Sequence, residues 1–187
     1  MHLSEPSALT VMHKYIRLEL FDVAAKISRA TPADCTAIRE AVANINSLLR
    51  RHAEMEDRLL EPKLRVLNRA LADHMAEDHR HLDGQLSRIL VLVDELEPSR
   101  PNSCQKVLCR LHLDWMKFVG DYLLHLDDEE RVLFPHLDAL PPVAVVAHRA
   151  AQLPPADRDA FLGKLANALT PDEFRLITDM EMRAATA

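Results

Sequence analysis

The chain has 187 residues, 48% hydrophobic and 28% charged, with a formal net charge of −6. That length suits one well-buried domain. The acidic balance, with no basic stripe against it, argues against a nucleic-acid partner, and no run approaches the ~20 apolar residues of a membrane span. Three glycines and 4% aromatics point to an all-α fold, and ten histidines are the compositional outlier. Cys35, Cys104 and Cys109 are odd in number and show no C-x-x-C spacing, which implies reduced thiols and no disulfide framework. The opening Met-His-Leu-Ser-Glu-Pro lacks the basic and apolar regions of a signal peptide, so the expected location is cytoplasmic.

Four long helical patterns fill the first three quarters. The first is predicted from Pro6 to Arg29, with Leu9, Met12, Ile16, Leu20, Val23 and Ile27 on one face. Thr31-Pro32 supplies an N-cap and a first-turn proline for the second. Its inner face carries Ile38, Val42, Ile45, Leu49, His52, Glu56 and Leu59, and Pro62 ends or kinks it. The third runs from around Ala70 to Glu97, with a stripe of Met75, His79, Leu82, Leu86, Ile89, Val93 and Leu96. After the loop signal Pro98–Ser103, the fourth presents Leu108, Leu111, Trp115, Phe118, Tyr122, His125, Glu129 and Val132 until Pro135 interrupts it. Short loops between long amphipathic helices predict an up-down-up-down four-helix bundle over residues 1–138. Residues 139–187 form a C-terminal helical extension with shorter helices near 143–151, 156–168 and 171–184. The apolar faces of these helices must bury against the bundle or a second subunit, and a homodimer through them is one expectation.

One phrase occurs twice. His52-Ala-Glu-Met-Glu56-Asp-Arg-Leu-Leu-Glu-Pro62 and His125-Leu-Asp-Asp-Glu129-Glu-Arg-Val-Leu-Phe-Pro135 share the pattern H-x-[ED]-x-E-[DE]-R-[LV]-L-x-P. A His and a Glu four apart lie on one helix face, about one turn from each other. Each copy therefore aims an imidazole and a carboxylate at one point. His13 on the first helix and His79 on the third complete a repeated plan: His13, His52 and Glu56 in one half, His79, His125 and Glu129 in the other.

All six residues lie on or beside the apolar stripes, so folding buries them. Uncompensated, that burial is very costly. A metal removes the cost by accepting the lone pairs, and mixed N and O donors favour iron or manganese over a four-coordinate structural zinc. The competing account is a metal-free bundle with hydrogen-bonded core histidines, in which His52→Ala and Glu129→Ala would be tolerated. His74 and His81 compete with His79 on the third helix but fit a solvent-facing position better. His2, His112, His136 and His148 read as surface or boundary residues. Tyr122, one turn before His125, either reaches the metal pocket or packs on Phe118 and Trp115. Glu54, Asp57, Asp127, Asp128 and Glu130 read mostly as a solvated face.

From Leu9 to Leu137 the chain resembles the hemerythrin-like family of His/Glu cation-binding bundles. The resemblance rests on His13, His52-x-x-x-Glu56, His79 and His125-x-x-x-Glu129 with the Glu-Arg-Val-Leu-Phe-Pro that follows. It implies two non-haem iron ions, oxo- or hydroxo-bridged, with Mn or Zn as substitutes. Glu56 and Glu129 would bridge, with His13 and His52 on one iron and His79 and His125 on the other.

Two departures separate the chain from oxygen-carrying hemerythrins. Met75 stands where they have a fifth histidine, and Glu129 follows His125 by four residues where they place an aspartate at five. Each iron is then five-coordinate, so both keep an open position. The resemblance thus implies binding of or reaction with O₂, NO or peroxide, as in oxidative or nitrosative stress defence, with any enzyme activity that of a di-iron oxidoreductase. The alternatives are a sensor or regulator using the same centre, and iron storage or delivery.

Overall fold

The computed structural model describes residues 6–137 and 140–185. Among them are eight α-helices: α1 (Ala8–Ser28), α2 (Cys35–Leu59), α3 (Glu61–Leu67), α4 (Arg69–Asp94), α5 (Pro101–Asp128), α6 (Ala144–Ala151), α7 (Pro155–Ala168) and α8 (Pro171–Ala185). The fold is an all-α helical bundle, as the spacing of apolar residues predicts. The chain divides into two compact units: Glu19–Leu137, and the other described residues, which join 6–18 to 140–185. The division falls within α1, whose first half, through Leu18, groups with the last three helices.

In the larger unit, α4 packs against both α2 and α5, and α5 meets the second half of α1 through Trp115. The inner faces are those the helical spacing selects: Ile38, Val42, Ile45 and Leu49 on α2, Leu82, Leu86, Ile89 and Val93 on α4, and Leu108, Leu111, Trp115 and Phe118 on α5 are all buried. The Trp115 indole N–H donates to the Leu20 carbonyl at 3.3 Å, which satisfies the one polar atom of the largest core side chain. Thr31-Pro32 opens a short 3₁₀ turn, Pro32–Asp34, before α2 begins. The Asp34 carboxylate accepts from both the Thr31 backbone N–H at 2.9 Å and its hydroxyl at 2.8 Å. The Asn68 side chain accepts from Leu71 N–H and caps α4.

The two phrase-ending prolines act differently. Pro62 has no N–H for the carbonyl of Arg58, so α2 stops at Leu59 and α3 restarts with that proline in its first turn. Pro135 has no N–H for Arg131, and α5 widens into a π-helical turn over Glu129–Leu133, in which Phe134 N–H reaches back to the Glu129 carbonyl.

Both helix ends correct the predicted register. Leu59 and Val132, expected inside, are 38% and 41% exposed, whereas their neighbours Leu60 and Leu133 are 1% and 2% exposed. Where the regular helix gives way, the inward position falls four residues after each glutamate. Both copies of the phrase therefore use the second of their paired aliphatic residues as the anchor.

The smaller unit has its own apolar interior. Val146, Ala147, Ala150, Leu165, Leu169 and Ile177 from the last three helices are buried. Tyr15 meets Phe161 edge-on at 5.5 Å between ring centroids, and the Lys14 ammonium pairs with Glu173 at 2.6 Å. Ala8 N–H donates to the Pro141 carbonyl at 2.8 Å, joining the start of α1 to the segment before α6.

Candidate metal centre

The last turns of α2 and α5 and the first half of α4 supply the site in the larger unit. Each phrase delivers its pair as helix geometry requires. His52 Nε2 lies 3.1 Å from Glu56 Oε1, and His125 Nε2 lies 3.4 Å from Glu129 Oε1. From α4, His79 points Nε2 at both carboxylates, 3.7 Å from Glu56 Oε2 and 3.9 Å from Glu129 Oε1. Ligand atoms of Glu56, His79, His125 and Glu129 all fall within 4.8 Å of one another, and so do those of His52, Glu56 and Glu129. Glu56 and Glu129 are 0% and 1% exposed, which is exceptional for carboxylates.

This donor set fits a cation. Burial, then the neighbouring negative charges of Glu129 and Asp57, push the Glu56 carboxyl well above its ordinary range. Two carboxylates so placed need a proton or a positive ion between them, and the imidazoles around them offer lone pairs. The structure thus brings His52, Glu56, His79, His125 and Glu129 together. His13 is wholly buried, on the half of α1 that belongs to the smaller unit.

His74 and His81 do not compete with His79 for this place. Their side chains are 51% and 58% exposed, beside Asp78 and Asp128 in one case and Asp121 in the other. His112 is half-buried, His136 and His148 are exposed, and His2 lies outside the described residues. Met75, one turn before His79, is buried and offers no nitrogen donor.

Two acidic residues lie beside the site's histidines, Asp57, which the sequence presents as part of a solvated face, and Asp78. Asp57 Oδ1 lies 3.0 Å from His79 Nδ1. With its proton on Nδ1, His79 donates to Asp57 and keeps the Nε2 lone pair toward the carboxylates. Asp78 Oδ2 lies 3.8 Å from His125 Nδ1, in the same sense but at longer range. The only sequence signal for either was adjacency to a ligand-type residue, which many exposed aspartates share.

Tyr122 serves the packing reading and also borders the site. Trp115, Phe118, Tyr122 and His125 form a ladder of rings at 5.5, 5.6 and 5.6 Å between successive centroids, one helical turn apart. Burial, then the charges of Glu56 and Glu129, push its phenol well above the usual value, so it stays protonated. A small cleft, partly open to solvent, runs to His79 and Tyr122 between Leu49, Leu82, Leu86 and Phe118.

The family model for the hemerythrin HHE cation-binding domain matches residues 6–137. The chain belongs to this family. Neither curated proteins nor solved structures yielded a match. A hemerythrin-type HHE domain binds metal cations, and the buried His/Glu groups of this bundle are the residues that could hold one. No helix among the described residues is long and apolar enough to cross a membrane.

Proposed function

We propose that this hemerythrin-like protein carries a pair of non-haem iron ions and binds or reacts with a small ligand, O₂, NO or a peroxide. The observation that carries the reading is the pairing of two wholly buried carboxylates, one from each copy of the phrase, each with its own imidazole. Glu56 and Glu129 would bridge the metals. His79 and His125 would bind one and His52 the other, with His13 as the fourth imidazole; its sequence position and complete burial support that role. Manganese and zinc are the possible substitutes at the same donors.

When bound, the irons supply electrons and open coordination positions for the ligand. The chain's own residues set the conditions. Asp57 holds the His79 ring by its Nδ1 proton, which fixes the Nε2 lone pair inward. Leu82, Leu86 and Phe118 line the approach and admit small ligands while limiting water. The Tyr122 phenol, kept protonated by its surroundings, is a hydrogen-bond donor at the edge of the pocket. A role in oxidative or nitrosative stress defence follows from this ligand class.

The test is metal analysis and an optical spectrum of the full chain from iron-supplemented cells, repeated after addition of NO or peroxide. The expected result is about two irons per chain with near-ultraviolet absorption that changes on ligand addition. Glu129→Ala should abolish both the metal and the absorption. A colourless protein that retains one zinc, or no metal after reconstitution, overturns the proposal.

A further inference from the structure

The three cysteines are unbridged thiols, and two of them are buried against each other. Cys35 is the first residue of α2 and Cys104 lies in the first turn of α5, with Sγ atoms 2.8 Å apart and residue exposures of 1% and 0%. A disulfide needs a separation near 2.05 Å, so the two sulfurs have to close by less than about 1 Å. The 3₁₀ turn before α2 packs on α5 and holds the two helix starts together. Cys109, five residues further along α5, is exposed and has no thiol neighbour among the described residues.

We propose that Cys35 and Cys104 are a redox-convertible pair, closed to a disulfide by a hydroperoxide, that ties the start of α2 to the start of α5. One thiolate attacks the peroxide oxygen and becomes a sulfenic acid, releasing the alcohol or water. The second thiol then attacks that sulfur and expels water. Two thiols and one hydroperoxide thus yield one disulfide, one alcohol (or water, from hydrogen peroxide) and one water.

A buried thiol pair is often only a small apolar filling. What distinguishes this one is its contact between helices 69 residues apart in sequence, where a bond closes a long loop and removes unfolded-state freedom. Burial, then the adjacent Cys104 thiol, push the Cys35 thiol up to about 11. Few thiolates form near neutral pH, so closure is slow and speeds up as pH rises or as the helix starts open. The pair lies about 25 Å along α2 from His52, at about 1.5 Å per residue. It therefore acts independently of whatever occupies the metal centre.

The experiment treats the full chain with hydrogen peroxide at pH 8, then alkylates under denaturing conditions and maps the peptides by mass. The expected result is one alkylated cysteine, Cys109, and a Cys35–Cys104 linked peptide two hydrogens lighter than the reduced pair. The thermal midpoint should rise by roughly 5–15 °C, reversed by a reductant. Cys104→Ser should lose both effects and Cys109→Ser should keep them. Should a serine variant fail to fold, the wild-type peptide map decides alone. Full alkylation of Cys35 and Cys104 after peroxide, or linkage of either to Cys109, overturns the proposal.

Discussion

Replacing Glu56 with Gln separates a metal-binding carboxylate pair from a hydrogen-bonded core. The substitution keeps shape and removes charge. Ligand atoms of Glu56 and Glu129 lie within 4.8 Å; at an effective dielectric near 20, two negative charges at that range repel by about 3.5 kcal/mol. Uptake of a proton by Glu56 relieves part of this in the metal-free protein, so Glu56→Gln should stabilise that form by about 2 kcal/mol at pH 8. For a chain of this size the midpoint then rises by roughly 4–8 °C.

The pH dependence follows in sign. A carboxyl whose folded value is raised contributes stability that is present below its unfolded value, 4.5, and lost as pH rises through the raised one. Metal-free wild type should therefore lose stability as pH rises above that value, and the Gln variant should lack that slope. Metal reverses the ranking, because the variant lacks a bridging anion and should bind at least about 100-fold more weakly. The assay is a thermal melt of stripped and reconstituted protein from pH 5 to 8, with chelator competition for affinity. A Glu56→Gln protein that is less stable when stripped, yet holds metal like wild type, would refute the reasoning.

Three further outcomes follow from the same geometry. Asp57→Asn should weaken metal binding by about 10–100-fold while barely moving the stability of the stripped protein; Asp57 is 57% exposed and acts through the His79 ring, and chelator competition reads the loss. Leu60→Ala and Leu133→Ala should each cost about 2–5 kcal/mol in denaturant unfolding, whereas Leu59→Ala and Val132→Ala should cost under about 1 kcal/mol. At Glu173, burial works upward but is outweighed by Lys14 and the Thr170 N–H and hydroxyl, which hold the carboxyl below its ordinary value. Its stabilising contribution is thus present above 4.5 and lost as pH falls through the lowered value; Glu173→Gln should flatten the acid limb of a stability–pH curve.

Much of this protein is written locally in its sequence. The apolar residues at helical spacing placed α1, α2, α4 and α5, and the prolines at 32, 62 and 135 marked where helices start or end, whereas Pro101, read as part of a loop through Ser103, opens α5. The repeated phrase singled out His52, Glu56, His125 and Glu129, because a four-residue spacing is the same on every helix. Three features required the folded chain. The register past each glutamate depends on how a proline is accommodated, by a break after Leu59 and by a π turn after Asp128, and spacing alone cannot choose between those. Asp57 joins the site only because α4 brings His79 to it from 22 residues away. Cys35 and Cys104 carry no motif, and only the packing of two helix starts makes them neighbours. Periodicity records which face of a helix is buried; which residue of another helix meets that face is decided by the packing of the whole.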